Sequence, residues 1–259
     1  RTAGSVFNFG SRDNILGLSK NAKIKLYIPD DNLRELANIM RVDTNDIWTT
    51  ANGKSASDKI GGFNQGGKIF INGGAGKSTA VHELVHGANG SQFGGYNTGR
   101  EAMSVFTEMA IGGTKTPGYG NFFTRQAYSG LNLGLNPAKN AQAIFDTLGK
   151  NGNYKYQWEG INSGLRGLSN RYLTSELGTV DGNRDFKHGY AQAASVVAEY
   201  AKNTGTSSQR DIDRMYTSLE RLFKKVTGSS TIDFAGHSGE KFNVKEFASA
   251  CADFRASVD

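Results

Sequence analysis

His82, Glu83 and His86 are the residues whose types and spacing could do chemistry in this chain, in the run His82-Glu83-Leu84-Val85-His86. A helix repeats every 3.6 residues, so positions i and i+4 lie on one face about one turn apart. Two imidazoles at that spacing can share one tetrahedral divalent ion. A carboxylate beside the first can serve as general base for water at that ion without ligating it. The chain has four histidines, so half of its imidazoles sit in this one run.

The flanking sequence predicts the helix that this chemistry needs. Ser78 and Thr79 are N-cap candidates. Ala80, Val81, Leu84, Val85 and Ala88 give an apolar face beside the His/Glu ridge, and Gly87 and Gly90 offer stops. Lys68-Ile69-Phe70-Ile71 reads as a strand leading into it. Between them, Gly73-Gly74-Ala75-Gly76-Lys77-Ser78-Thr79 imitates a phosphate-binding loop. The full pattern needs a glycine where Ile71 stands, and no downstream strand ends in a magnesium-binding carboxylate. No nucleotide is therefore expected, and the glycines serve the turn from strand to helix.

The His-Glu-x-x-His run resembles that of the zinc metallopeptidases known as zincins. A catalytic zinc takes three protein ligands and water, so the resemblance demands a third. The metzincin branch would place a His where Gln92 stands and is excluded. The gluzincin branch uses a Glu on a second helix, and Arg100-Glu101-Ala102-Met103-Ser104-Val105-Phe106-Thr107-Glu108 reads as that helix. It is similar to the Asn-Glu-Ala-x-Ser segment of thermolysin-like enzymes and to the Asn-Glu-Gly segment of the aminopeptidase/leukotriene-hydrolase group. Both likenesses put the third zinc ligand at Glu101. Glu108, seven residues on, shares its side and is the reserve ligand or a residue that holds a ligand His. The connection from Gly87 to Gly99 is shorter than the family usually has, and its glycines make a tight path feasible.

A third segment, Tyr190 to Gly205, is an apolar helical pattern ended by Gly. It resembles the gluzincin Tyr-to-Gly helix whose first Tyr donates a hydrogen bond to the tetrahedral oxyanion; here that residue is Tyr190, with Ala193 where the family has Gly. His188 could play the same part, though its plainer reading is a surface His. Aminopeptidases of the group carry an upstream Glu for the substrate α-amine. Residues 60–68 contain no acidic side chain, which favours an endopeptidase. Arg125 and Tyr128 repeat an Arg-x-x-Tyr pair found in clostridial neurotoxin proteases.

Composition sets the frame. At 259 residues the chain can bury a real core. With mean hydropathy −0.48 it has no apolar run that could span a membrane. The net charge of +6 is diffuse, with 14 basic and 10 acidic residues in 1–130 and 16 and 14 in 131–259. A diffuse excess without aromatic interleaving is weak support for nucleic acid. The lone Cys251 permits no internal disulfide and leaves the compartment open. The chain begins at Arg1, and a processed product or excised domain, for example of a secreted or effector protein, is the expectation, with export left open.

Ile24 to Ile28 alternates as a strand, Pro29-Asp30-Asp31 is expected to cap a helix that runs through Met40, and Thr50 to Gly67 reads as a polar loop. Residues 112–137 read as a long connection between lobes. Ala141, Ile144, Phe145 and Leu148 form one helical stripe, and Ile212, Met215, Tyr216, Leu219, Leu222, Phe223 and Val226 a longer one. The expected fold is a two-lobed α+β zincin. Residues 1–135 form an N-terminal lobe with a small sheet and the two site helices, and residues 136–259 form a helical lobe bearing Tyr190. The resemblance implies a Zn²⁺-dependent endopeptidase acting on protein or peptide substrates, with ligands His82, His86 and Glu101, base Glu83 and oxyanion donor Tyr190. Two other classes stay open: a catalytically inactive zinc-containing binding module, and a basic nucleic-acid-binding protein.

Overall fold

In the computed structural model, residues 24–26, 31–40, 47–50, 62–65, 68–71, 77–88, 97–112, 128, 130–150, 152, 180–233 and 240–249 are described. They form an α+β arrangement dominated by helices. The chain divides into two compact units, Arg1–Gly90 and Ser91–Asp259. That division lies upstream of the boundary expected at residue 135.

Among the described residues, the first unit holds a four-stranded sheet and two helices. The strands are β1 (Ile24–Leu26), β2 (Ile47–Thr50), β3 (Gly62–Gln65) and β4 (Lys68–Ile71), in the order β1-β2-β4-β3. β2 and β4 run parallel, and the two outer pairs are antiparallel. Strand β3 corrects the expectation of a loop from Thr50 to Gly67. Gln65 pairs with Lys68, with only Gly66 and Gly67 between them in sequence. A two-residue Gly-Gly link between strands is itself a hairpin signal, and it was masked by the polarity of Gly62-Phe63-Asn64-Gln65.

Helix α1 (Asp31–Ile39) follows the Pro-Asp-Asp start anticipated for it, and Met40 closes it through a bond from its N–H to the Leu36 carbonyl at 3.0 Å. Helix α2 (Lys77–Ala88) packs on β3, β4 and α1. Its residues Ala80, Val81, Leu84 and Val85 are sealed from solvent, as are Ile69 on β4 and Leu36 and Ala37 on α1. Each fully buried Leu or Val contributes roughly 1.5–3 kcal/mol, which holds α2 on the sheet. Because α2 begins at Lys77, Ser78 and Thr79 belong to its first turn and are not its caps.

The second unit contains helices α3 (Asn97–Gly112), α4 (Pro137–Gly149), α5 (Val180–Asn203) and α6 (Gln209–Thr227), then strands β5 (Thr231–Asp233) and β6 (Lys241–Asn243) and a short helix over 244–249. Long-range contacts fix the helix directions. Asn140, near the start of α4, donates to the Ala110 carbonyl near the end of α3, while Phe145 stacks on Phe106. These helices are antiparallel. Phe145 also meets Tyr190, and the Ala138 N–H reaches Ser207 just beyond α5, so α4 and α5 are antiparallel too. Residues 204–208 turn the chain back into α6, so the four described helices α3 to α6 alternate in direction.

The stripe Ala141, Ile144, Phe145 and Leu148 is fully buried, as expected. Along α6, Ile212, Met215, Leu219, Leu222 and Phe223 are buried with it and Val226 is half-buried. Helix ends are closed by identifiable chemistry. Asn136 caps α4 by accepting from the Lys139 N–H, with Pro137 at the first turn. Ser208 caps α6, and Gly228 at φ 74 closes it. After α5, Gly205 takes φ +64 and the Thr206 N–H bonds back to the Ala201 carbonyl. That left-handed closure is open to glycine at little cost.

Candidate metal centre

The residues expected to do chemistry rest on three helices, α2 in the first unit and α3 and α5 in the second. On α2, His82 and His86 lie four apart in one continuous helix, hence on one face a turn apart. His82 is 8 % exposed and Glu83 7 %, between the sealed side chains of Val81 and Leu84. The side chain of His86 lies outside the described residues. So does that of Glu101, although its backbone belongs to α3 as expected.

Glu108 is 3 % exposed, so it is not a solvated helix carboxylate. Thr107, beside it, returns its hydroxyl to the Met103 carbonyl at 2.9 Å. Ser104 is buried as well, and its Oγ has no hydrogen-bond partner among the described residues. Glu101, Ser104 and Glu108 are spaced i, i+3 and i+7, so they share one side of α3. An orphaned buried hydroxyl there calls for a polar neighbour.

Tyr190 lies well inside α5, which begins ten residues earlier at Val180, and is 1 % exposed. Its ring stands edge-on to Phe106 at 5.7 Å and to Phe145 at 5.8 Å, while those two stack on each other at 4.5 Å. The cluster joins α3, α4 and α5. Offset or edge-to-face rings of this kind add about 0.5–1.5 kcal/mol per pair beyond area burial. His188 corrects a further expectation. It is buried, with its ring 5.3 Å from that of Phe247 on the short C-terminal helix. The sequence held no clue to that contact, because Phe247 is far along the chain. Tyr128 is buried, and Arg125 lies outside the described residues.

Among the described residues no three His, Cys, Asp or Glu side chains come together as a metal site. Two of the three expected ligands, His86 and Glu101, have side chains outside that set. Imidazole and carboxylate are both donor types that zinc accepts. Nor is any described helix long and apolar enough to cross a membrane. No protein-family model, curated protein or solved structure matches the chain.

Proposed function

We propose that this chain is a zinc-dependent metallopeptidase of the gluzincin kind that cleaves internal peptide bonds. The observation that carries the reading is the placement of His82, Glu83 and His86 on the single helix α2, with His82 and Glu83 nearly closed to solvent. His82, His86 and Glu101 would hold the ion, with Glu108 as the alternative third ligand. Bound zinc supplies Lewis acidity towards the scissile carbonyl oxygen and the attacking water.

The chain's own groups do the rest. Glu83 accepts a proton from the attacking water on its carboxylate and passes it to the departing amine nitrogen. The Tyr190 phenol, neutral near pH 7, donates its O–H to the oxygen that gains charge in the tetrahedral state. The absence of an acidic side chain in residues 60–68 leaves the substrate α-amine without an anchor there, in keeping with internal cleavage.

Digestion of a mixed peptide library by the purified chain, with and without a chelator, tests the reading. Internal cleavage that stops on chelation and returns with zinc is expected. Tightly bound zinc without any cleavage would instead identify an inactive zinc-containing binding module.

A further inference from the structure

Helix α6 buries one face against α4 and α5 and turns the opposite one to solvent. Three arginines occupy that outer face: Arg210, Arg214 and Arg221 are all exposed. At about 100° per residue they fall within a sector of about 40°, and at 1.5 Å rise they span about 17 Å. Thr217 is the residue between them on the same line. Among the described residues none of the three guanidinium groups has an ion pair or a hydrogen bond.

The helix's own acids do not neutralise this line. Asp211 is buried and takes its bond from Asn136. Asp213 is engaged by Lys245 at 2.7 Å and by Gln209. Glu220 has helical i, i+4 spacing to Lys224, not to an arginine. Like charges at i and i+4, as in Arg210 and Arg214, repel on a helix, so the line gains from an anionic partner.

We propose that this outer face of α6 docks an acidic helical segment of another protein, its carboxylates in a single stripe facing the arginines. Guanidinium groups suit carboxylates because the fork matches them two bonds at a time. The line carries no aromatic side chain on which a base could stack. It carries no apolar one that could enter a bilayer. The line offers three charges in helical register, which a helix presenting carboxylates at the same spacing matches as helix-face anchors.

The test uses the full chain and two synthetic helical peptides of equal composition, on a neutral Ala/Gln background. One has Glu at i, i+4, i+7 and i+11, a spacing that matches the line in either chain direction. The other spreads the same Glu residues around the helix. Binding is read by fluorescence anisotropy near physiological salt, where exposed charges are screened beyond about 8 Å. The striped peptide should bind about tenfold tighter than the scattered one, as expected for three exposed ion pairs. Replacing Arg210, Arg214 and Arg221 together by Gln should erase that difference. Replacing the exposed lysines Lys139, Lys150 and Lys202 by Gln removes equal charge elsewhere and should leave it. Equal binding of the two peptides would overturn the proposal, as would a difference that survives the arginine variant. A duplex oligonucleotide or phosphatidylserine vesicles binding through the arginines more tightly than the striped peptide would overturn it too.

Discussion

Glu83 is 7 % exposed on a helix whose next two residues, Leu84 and Val85, are sealed. Exchange of its carboxylate for an amide keeps size and shape but removes the proton acceptor. Glu83→Gln should therefore leave zinc content and helicity unchanged and lower kcat by about 10²–10⁴-fold, checked by metal analysis beside a peptide-cleavage assay. Wild-type turnover in that variant would assign the base elsewhere. His82→Ala and His86→Ala should each abolish stoichiometric zinc. Glu101→Gln should weaken zinc binding more than Glu108→Gln, and the reverse order would move the third ligand to Glu108. Tyr190→Phe deletes one hydroxyl while the ring keeps its place against Phe106 and Phe145. Thermal stability should change little and kcat should fall about 10²–10³-fold with KM nearly constant. A silent Tyr190→Phe would confine this residue to the core, and a crippling His188→Ala would give His188 the donor role.

At the scale of elements, the start of α4 is pinned by polar side chains. Buried Asn140 donates to the Ala110 carbonyl at 2.9 Å and the Gly134 carbonyl at 2.8 Å, and accepts from the Gly134 N–H at 2.9 Å. It thus ties the end of α3 and the segment before α4 to one side chain. Asn140→Ala would leave these backbone groups without that partner. A loss of about 2–4 kcal/mol is expected in urea unfolding, with α4 itself still helical because Ala favours helix. The sequence stripe of α4 reveals its apolar positions, but not that an amide among them reaches across to α3. That partner is 30 residues away and comes into reach only when the two helices pack.

At the scale of the whole molecule, Asp211 links the junction of α5 and α6 to the start of α4. Burial pushes its carboxyl up. The bonds from Asn136 and Ser208 and the charge of Lys139 outweigh burial and hold it below the ordinary carboxylate value. A group whose pKa is lower in the folded state stabilises the fold above its unfolded pKa, about 3.9 for Asp, and that gain is lost as pH falls through the folded value. Acid unfolding followed by circular dichroism should thus show stability steady near neutrality and declining below about pH 4. Asp211→Asn should flatten part of that decline while lowering stability at pH 7. An unchanged acid profile in Asp211→Asn would mean that other carboxylates dominate it.

Local physics made much of the chain readable from sequence. The helical stripes of α4 and α6 follow from apolar spacing at 3.6 residues, and the closure of α5 near Gly205 from the freedom of glycine at positive φ. The i, i+4 pairing of His82 and His86 needed only that residues 77–88 be helical, which they are. Strand β3 escaped notice because its Gly-Phe-Asn-Gln sequence has weak β-propensity and is paired by β4 instead. Burial was the other quantity out of reach. Nothing near His188 or Glu108 in sequence marks them as interior, since each is covered by elements that arrive from elsewhere in the chain. The three-ring meeting of Phe106, Phe145 and Tyr190 is likewise a product of tertiary packing, since helix periodicity assigns each ring a face but not the ring it will meet.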